Sequence, residues 1–275
     1  MPMNNRVSLH TWTIDTTPLA RVLEVARLAG YEGVELRYND FERAYKANQT
    51  DADVIAAVRD SGLGVSTLAT LRGWMWAEGE KFDALVDKFR WACATARRLG
   101  TDMIISPVDP GTGPVPQAIE RTRMMAELAH SLGVRLAIQM NSWAQQLNRL
   151  DLAMEVIEAA DHPNVGYLLD TYHLERSGFG GRGFDVVRPE KVFHIQVSDV
   201  PNRPRQPGVP LDRQPIGNGV IPFDKVFGLL AEKGYAGWVV YEVPNPELWA
   251  RDALEVAVEG REALRRLLAD ATPGR

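Results

Sequence analysis

A regular alternation of short β-type runs and longer helical stretches predicts a single (β/α)8 barrel over residues 1–275. Three observations carry this prediction. Runs of five or six residues with β character recur eight times, each followed by a stretch of helical periodicity. Gly30, Gly62, Gly100, Gly133 and Gly234 each follow a helix and lead within a few residues into a strand, so the αβ loops are short and fold each helix back on the sheet. Finally, the polar residues within each strand share one parity, as positions facing the lumen of a closed barrel must. An open doubly wound sheet is the alternative. It would place a glycine-rich phosphate turn after the first strand, where this chain has Thr11-Trp12-Thr13-Ile14-Asp15.

In order, the strand at 6–11 leads to a helix at 17–29, and the strand at 33–37 to a helix at 51–61. The strand at 64–69 precedes a helix at 82–99, and that at 102–106 a helix at 115–132. The fifth unit pairs 134–139 with 150–160. The sixth pairs 165–169 with a short helix at 173–178, broken by Gly178, Gly180, Gly181 and Gly183. The seventh strand, 192–197, reaches its helix at 222–232 only after a proline-rich stretch at 201–215, which reads as a long functional loop on the catalytic face. The last unit pairs 237–242 with 247–268.

Composition narrows the function classes. Hydrophobic residues are 45% and charged residues 24%, ordinary for a globular chain. The net charge is −5 and the basic residues are dispersed, which excludes the dense positive face that nucleic acid requires. Cys93 is the sole cysteine, so no disulfide forms within the chain and a reducing compartment is expected. No apolar stretch approaches the ~20 residues of a membrane span, and no signal-like segment opens the chain, so the expected location is the cytoplasm, away from the membrane.

The lumen-facing sets are Ser8, His10 and Trp12 on the first strand, Glu35 and Arg37 on the second, and Arg135, Ala137, Gln139 and Asn141 on the fifth. The sixth offers Gly166, Leu168 and Asp170, the seventh His194, Gln196 and Ser198, and the eighth Trp238, Val240 and Glu242. The polar members cluster at the C-terminal strand ends, where barrel active sites lie. Gln139, Asp170, Gln196 and Glu242 come from four consecutive strands and can converge on one point. Four oxygen donors, two of them carboxylates, suit one divalent ion such as Mn²⁺, Mg²⁺ or Zn²⁺.

Several segments resemble the sugar phosphate isomerase/epimerase family of xylose isomerase-like barrels. They are Gly33-Val-Glu-Leu-Arg37, Leu136-Ala-Ile-Gln-Met-Asn141, Val165-Gly-Tyr-Leu-Leu-Asp-Thr-Tyr-His173, His194-Ile-Gln-Val-Ser-Asp199, Gly217-Asn-Gly-Val-Ile-Pro222 and Val240-Tyr-Glu242. The family includes inosose isomerases and dehydratases, hydroxypyruvate isomerase, ketose 3-epimerases and 3-dehydroshikimate dehydratase. The resemblance implies a metal set in which Asp170, Gln196 and Glu242 match, whereas Gln139 stands where the family expects Glu. It implies a metal-dependent isomerase or epimerase acting on a small ketose, cyclitol or related keto-polyol, often as a homo-oligomer. In this reading the metal polarises a carbonyl and Glu242 takes the neighbouring C–H proton, with Gln139 and His173 beside it. His10, Trp12, Arg37, Trp143 and His194 are expected to bind substrate, together with Arg203 or Arg205 from the long loop. His194 can equally be a satisfied core histidine, and Glu35 and Arg37 read as a lumen ion pair that shapes the pocket.

The competing readings use the same residues. Loss of one carboxylate at position 139 gives weight to a lyase of the dehydratase type, and the two glutamines to a metal-free sugar-binding barrel. Five histidines in total are too few for the zinc-rich site of a repair nuclease. Trp74, Trp76 and Trp143 read either as pocket walls or as loop packing. Gly217 and Gly219 read as a turn rather than a phosphate cradle, since no basic cluster follows them. Cys93 reads as buried rather than nucleophilic. No lysine lies at the C-terminal end of a strand, which disfavours Schiff-base chemistry.

Overall fold

Eight parallel strands close into a barrel in sequence order. They are β1 Val7–His10, β2 Gly33–Arg37, β3 Gly64–Ala69, β4 Met103–Pro107, β5 Arg135–Gln139, β6 Val165–Asp170, β7 Val192–Val197 and β8 Val239–Tyr241. The computed structural model describes residues 2–180, 183–205 and 211–271. The outer layer comprises α1 Leu19–Ala29, α2 Tyr38–Lys46, α3 Asp51–Asp60, α4 Gly79–Arg98, α5 Val115–Ser131, α6 Leu150–Ala160, α7 Thr171–Arg176, α8 Phe223–Glu232, α9 Pro246–Trp249 and α10 Ala253–Asp270.

Two helices differ from the sequence expectation. The α2 helix was not foreseen, because its nine residues are mostly polar and only Asp40, Phe41 and Ala44 are buried. It starts directly from β2, where the Asp40 carboxylate accepts the Arg37 N–H and closes the first turn. The stretch expected as one helix over 247–268 divides into α9 and α10. Asp252 caps α10 by accepting from the N–H groups of Leu254 and Glu255. No described helix is long and apolar enough to cross a membrane.

One apolar core fills the space between sheet and helices, and a small second cluster of Met103, Ile105, Ala137, Leu168 and Phe193 lies in the lumen. Gly166 makes room for Phe193: a Cβ there would stand 2.6 Å from the Lys191 carbonyl and 2.7 Å from the Phe193 ring. The rest of the lumen is polar. Ser8 and Ser66 share a 2.9 Å hydrogen bond, and His10, Glu35, Gln139, His194 and Gln196 are all buried. Buried polar groups are tolerated only when paired, so the lumen is held by directional bonds rather than by the branched aliphatic layers usual in such barrels.

The loop after β7 is anchored at both ends. Asp199 accepts from the backbone N–H groups of Val200, Gly217, Gly219 and Ile221. Its own backbone exchanges two hydrogen bonds with Gln214, at 2.8 and 3.0 Å. The Gly217 and Gly219 donors are thus spent on Asp199, in keeping with a turn rather than a phosphate cradle. Of the expected functional loop at 201–215, residues 206–210 lie outside the described residues.

Candidate active site

The C-terminal ends of the strands surround a cavity of about 500 Å³. His10, Trp12, Arg37, Gln139, Trp143, His173, Gln196 and Glu242 line it, joined by Tyr172 and Arg213. The four predicted convergent residues do meet. Gln139 Nε2 donates to Asp170 Oδ2 and to Gln196 Oε1, both at 2.8 Å. Gln196 Nε2 in turn donates to Glu35. Carboxylates only accept, so this chain fixes both amides: Gln196 must turn its nitrogen to Glu35, and its oxygen then faces the Gln139 nitrogen.

Asp170 ends β6 and caps α7, its Oδ1 accepting from Tyr172 N at 2.9 Å and His173 N at 3.4 Å. Its two oxygens also hold Arg213 in a fork, with Nη1 at 2.9 Å and Nη2 at 2.7 Å. Burial alone would raise the Asp170 pKa, but the Arg213 charge and the hydrogen bonds from Arg213 and the His173 backbone hold it below the ordinary carboxylate value. Arg213 also donates to Ser198 Oγ at 2.8 Å and lies over the Tyr172 ring at 4.5 Å. Burial works against its charge, yet Asp170 and Glu242 keep it protonated.

Glu242 follows β8 and is 4% exposed. Its Oε2 is buried without a hydrogen-bond partner among the described residues and stands 3.5 Å from Arg213 Nη2. Burial is the largest cause that pushes its pKa up to about 8; Arg213 opposes the rise, while Asp170 and Glu35 add to it. A carboxyl of this kind exchanges a proton near neutrality.

The two histidines on the cavity are neutral donors. Arg205 Nη2 donates to Ser142 Oγ at 2.7 Å, so that hydroxyl donates to His173 Nδ1 at 3.0 Å, which also receives the Ser142 N–H. The His173 proton therefore sits on Nε2, toward the cavity. Burial is the main cause that takes its pKa down to about 3, against the pull of Asp170. His10 Nδ1 accepts from Trp12 N at 3.0 Å, leaving Nε2–H to face Glu35 at 3.4 Å and Glu242 at 3.6 Å. Burial followed by the nearby Arg37, Arg213 and His194 charges lowers its pKa well below the usual value.

Four expectations are corrected. Arg37 does not pair with Glu35: standing at the open end of β2, it turns to Asp15 at 2.8 Å and Asp40 at 3.0 Å and still borders the cavity. Glu35 pairs instead with His194 Nε2 at 2.5 Å. His194 lies one layer below Gln196 and off the cavity, so it is a satisfied core histidine rather than a substrate contact. Arg203 is exposed outside the cavity, with its carbonyl bound by Arg176. Arg205 does not line the cavity but braces its wall, stacking on Trp143 at 3.7 Å. The arginine of the long loop that does enter the site is Arg213, which sequence reasoning missed. Trp74 is buried and donates to Ser106, Trp76 donates to the Pro114 carbonyl, and of the three tryptophans only Trp143 borders the cavity. Burial pushes the Cys93 thiol up to about 12, consistent with an inert core residue.

The resemblance implies a divalent ion at this point, and the donor set does not fit one. Gln139 presents an N–H rather than an oxygen, and the guanidinium of Arg213 already spans the two carboxylates. Among the described residues no group of three or more His, Cys, Asp or Glu is arranged to hold a metal.

Known proteins give the same architecture. The chain is 24% identical to an inosose isomerase of Halalkalibacterium halodurans over 88% of its own length and 89% of that protein's. It is 26% identical to a 3-dehydroshikimate dehydratase of Pseudomonas aeruginosa over 66% of its length, spanning only 29% of that longer protein. The crystal structure of the IOLI protein with a bound zinc atom superposes with a TM-score of 0.84 at 18% identity, covering 96% of this chain and 98% of that one. A sequence model of the family described as xylose isomerase-like TIM barrel matches residues 23–267, and with the closed eight-stranded barrel this establishes that the chain belongs to the xylose isomerase-like TIM-barrel family.

Proposed function

We propose that the protein is an isomerase or epimerase of a small ketose, cyclitol or related keto-polyol, working by proton abstraction next to a carbonyl. The observation that carries this reading is Glu242 Oε2, a buried carboxyl oxygen on the cavity with no hydrogen-bond partner among the described residues, whose pKa of about 8 suits a general base. The inosose isomerase relatives support the reaction class. A cavity of about 500 Å³ lined by polar donors together with Trp12 and Trp143 matches a small polyhydroxylated ring or chain.

In this mechanism Glu242 removes the proton from the carbon beside the carbonyl, and the electron pair moves onto the carbonyl oxygen. Arg213 and the Nε2–H groups of His173 and His10 face the developing charge. Both histidines carry their cavity-side proton, so Glu242 is the group poised to accept one. A single base returning the proton to the former carbonyl carbon, while the neighbouring hydroxyl passes its proton to the oxyanion, gives isomerisation; epimerisation needs a second base on the opposite face. A lyase is the second reading, favoured by the dehydratase relatives, since the same carbanionic step followed by loss of a β-hydroxyl gives elimination.

The test is proton exchange in deuterated water, followed by nuclear magnetic resonance across a panel of ketoses and cyclitols. Deuterium entering the carbon beside the carbonyl with wild type, and not with Glu242→Gln, is the expected result. Loss of water with a new ultraviolet chromophore would move the assignment to a lyase. Neither exchange nor elimination anywhere in the panel would refute the enzyme reading.

A further inference from the structure

We propose that the guanidinium of Arg213 fills the place and the electrostatic role of the metal ion, and that the site works without a divalent cation. The inference rests on the proposed proton-abstraction chemistry for its catalytic part, but its structural part stands on geometry alone. Arg213 binds both oxygens of Asp170 and lies 3.5 Å from Glu242 Oε2 and from His173 Nε2. It therefore sits among the side chains that would surround a metal.

The placement is built, not incidental. Arg213 is 5% exposed and stacks on Tyr172. Its carbonyl accepts from Asn245 Nδ2 at 2.8 Å. The residue before it, Asp212, receives the Tyr172 hydroxyl at 2.6 Å and a guanidinium N–H from Arg176. The residue after it, Gln214, is bridged to Asp199. The residues on both sides of Arg213 are thus tied down, one to α7 and the other to Asp199.

Charge accounting explains Gln139. A divalent ion is balanced by carboxylates on several strands, whereas one guanidinium balances fewer. A third carboxylate at position 139 would stand in contact with Asp170 Oδ2, whose charge the single Arg213 guanidinium already balances, and would add a negative charge that it does not offset. The amide donates to that oxygen instead, at 2.8 Å. Gln139 and Arg213 thus form a matched pair, a neutral donor beside a monovalent cation. A divalent ion added to this set would meet a fixed positive group at contact distance.

In the proposed step Glu242 takes the carbon-bound proton, the electron pair passes to the substrate oxygen, and the Arg213 N–H groups stabilise that oxygen as hydrogen-bond donors. No bond to the guanidinium forms and no electron leaves the substrate.

The experiment compares the whole chain as wild type, Arg213→Met, Gln139→Glu and the double variant. Metal content is read by plasma mass spectrometry after purification without chelator, and Mn²⁺ uptake by equilibrium dialysis. Wild type is expected to carry no stoichiometric ion and to take up none. The double variant, which restores a carboxylate and clears the guanidinium, is expected to take up about one Mn²⁺ per chain and to melt at a higher temperature with it. Wild type carrying or taking up about one ion per chain overturns the proposal, whatever the variants do. Should the double variant fail to fold, as judged by circular dichroism, the wild-type result decides alone.

Activity separates the two claims. Exchange that survives chelator and falls at least about a hundredfold in kcat with Arg213→Met supports the proposal. Exchange abolished by chelator and restored by Mn²⁺ sinks the Arg213 assignment and keeps the isomerase. An ion-free wild type that exchanges nothing sinks the isomerase and keeps Arg213 as the site's cation.

Discussion

Replacing Glu242 by Gln should make the protein inactive and more stable. The carboxyl is buried, one of its oxygens lacks a partner, and its pKa is pushed from an ordinary 4.5 up to about 8. A raised carboxyl pKa means that folding favours the protonated form. The stability linked to Glu242 is therefore fully present below about pH 4.5 and is lost as pH rises through about 8. At 1.36 kcal/mol per tenfold change, the ionised side chain costs the folded state on the order of 5 kcal/mol in alkaline solution. At neutral pH the cost is about 3 kcal/mol, because the unfolded carboxyl is ionised while the folded one is still mostly protonated. Glutamine keeps the shape and removes the charge. Urea unfolding of both proteins at about pH 5, 7 and 9 should show the variant gaining over wild type by about 1, 3 and 5 kcal/mol respectively. Equal stability at all three values, or a gain that does not grow with pH, would refute the reasoning about burial.

Further outcomes follow from the same geometry. The rate of wild-type proton exchange should climb about tenfold per pH unit below about 8 and level above it, because the ionised Glu242 is the active form; a rate flat from about pH 6 to 9 would remove it as the base. Arg205→Ala frees Ser142 Oγ from its donor and loosens the His173 tautomer, so kcat should fall about tenfold or more in steady-state kinetics while the fold stays intact by circular dichroism. Gly166→Ala, whose Cβ would stand 2.6 Å from a carbonyl, should cost about 1–3 kcal/mol in thermal unfolding. Asp199→Ala leaves four backbone donors without their acceptor and should cost about 2–4 kcal/mol; activity should suffer as well, since Arg213 rides on the same loop.

Much of the barrel was legible because strands and helices obey different periods. Strands β2, β3 and β7 begin and end where the alternation places them, and the glycine after each of several helices marks the turn back to the sheet. The convergence of Gln139, Asp170, Gln196 and Glu242 was legible too, since parity and strand order together fix a point in a closed barrel. What escaped depends on side-chain direction at strand ends and in loops. Arg37 shares the parity of Glu35, but the last residue of a strand has no further turn above it and can fold outward, here to Asp15 and Asp40. Three arginines, Arg203, Arg205 and Arg213, occupy one proline-rich segment, and sequence spacing alone does not say which of them turns inward. The available signal was position: Arg213 lies nearest the Gly217 turn that brings the chain back to the barrel. The α2 helix escaped because its nine residues are mostly polar, with Phe41 and Ala44 the only apolar residues it buries, and because its first turn closes on the Asp40 carboxylate.

The Asp199 clasp has an evolutionary consequence. By closing on Val200 at one side and on Gln214 through Ile221 at the other, it gathers both ends of the long loop onto one residue. Among the described loop residues, the exposed Asn202 can change with the anchors of Arg213 left where they are, whereas Arg205 holds Ser142 and stacks on Trp143. The rim can therefore vary at such exposed positions without touching the charge balance at the reacting end. Such a division between a fixed reacting end and a variable rim would let one scaffold change its substrate in few mutational steps.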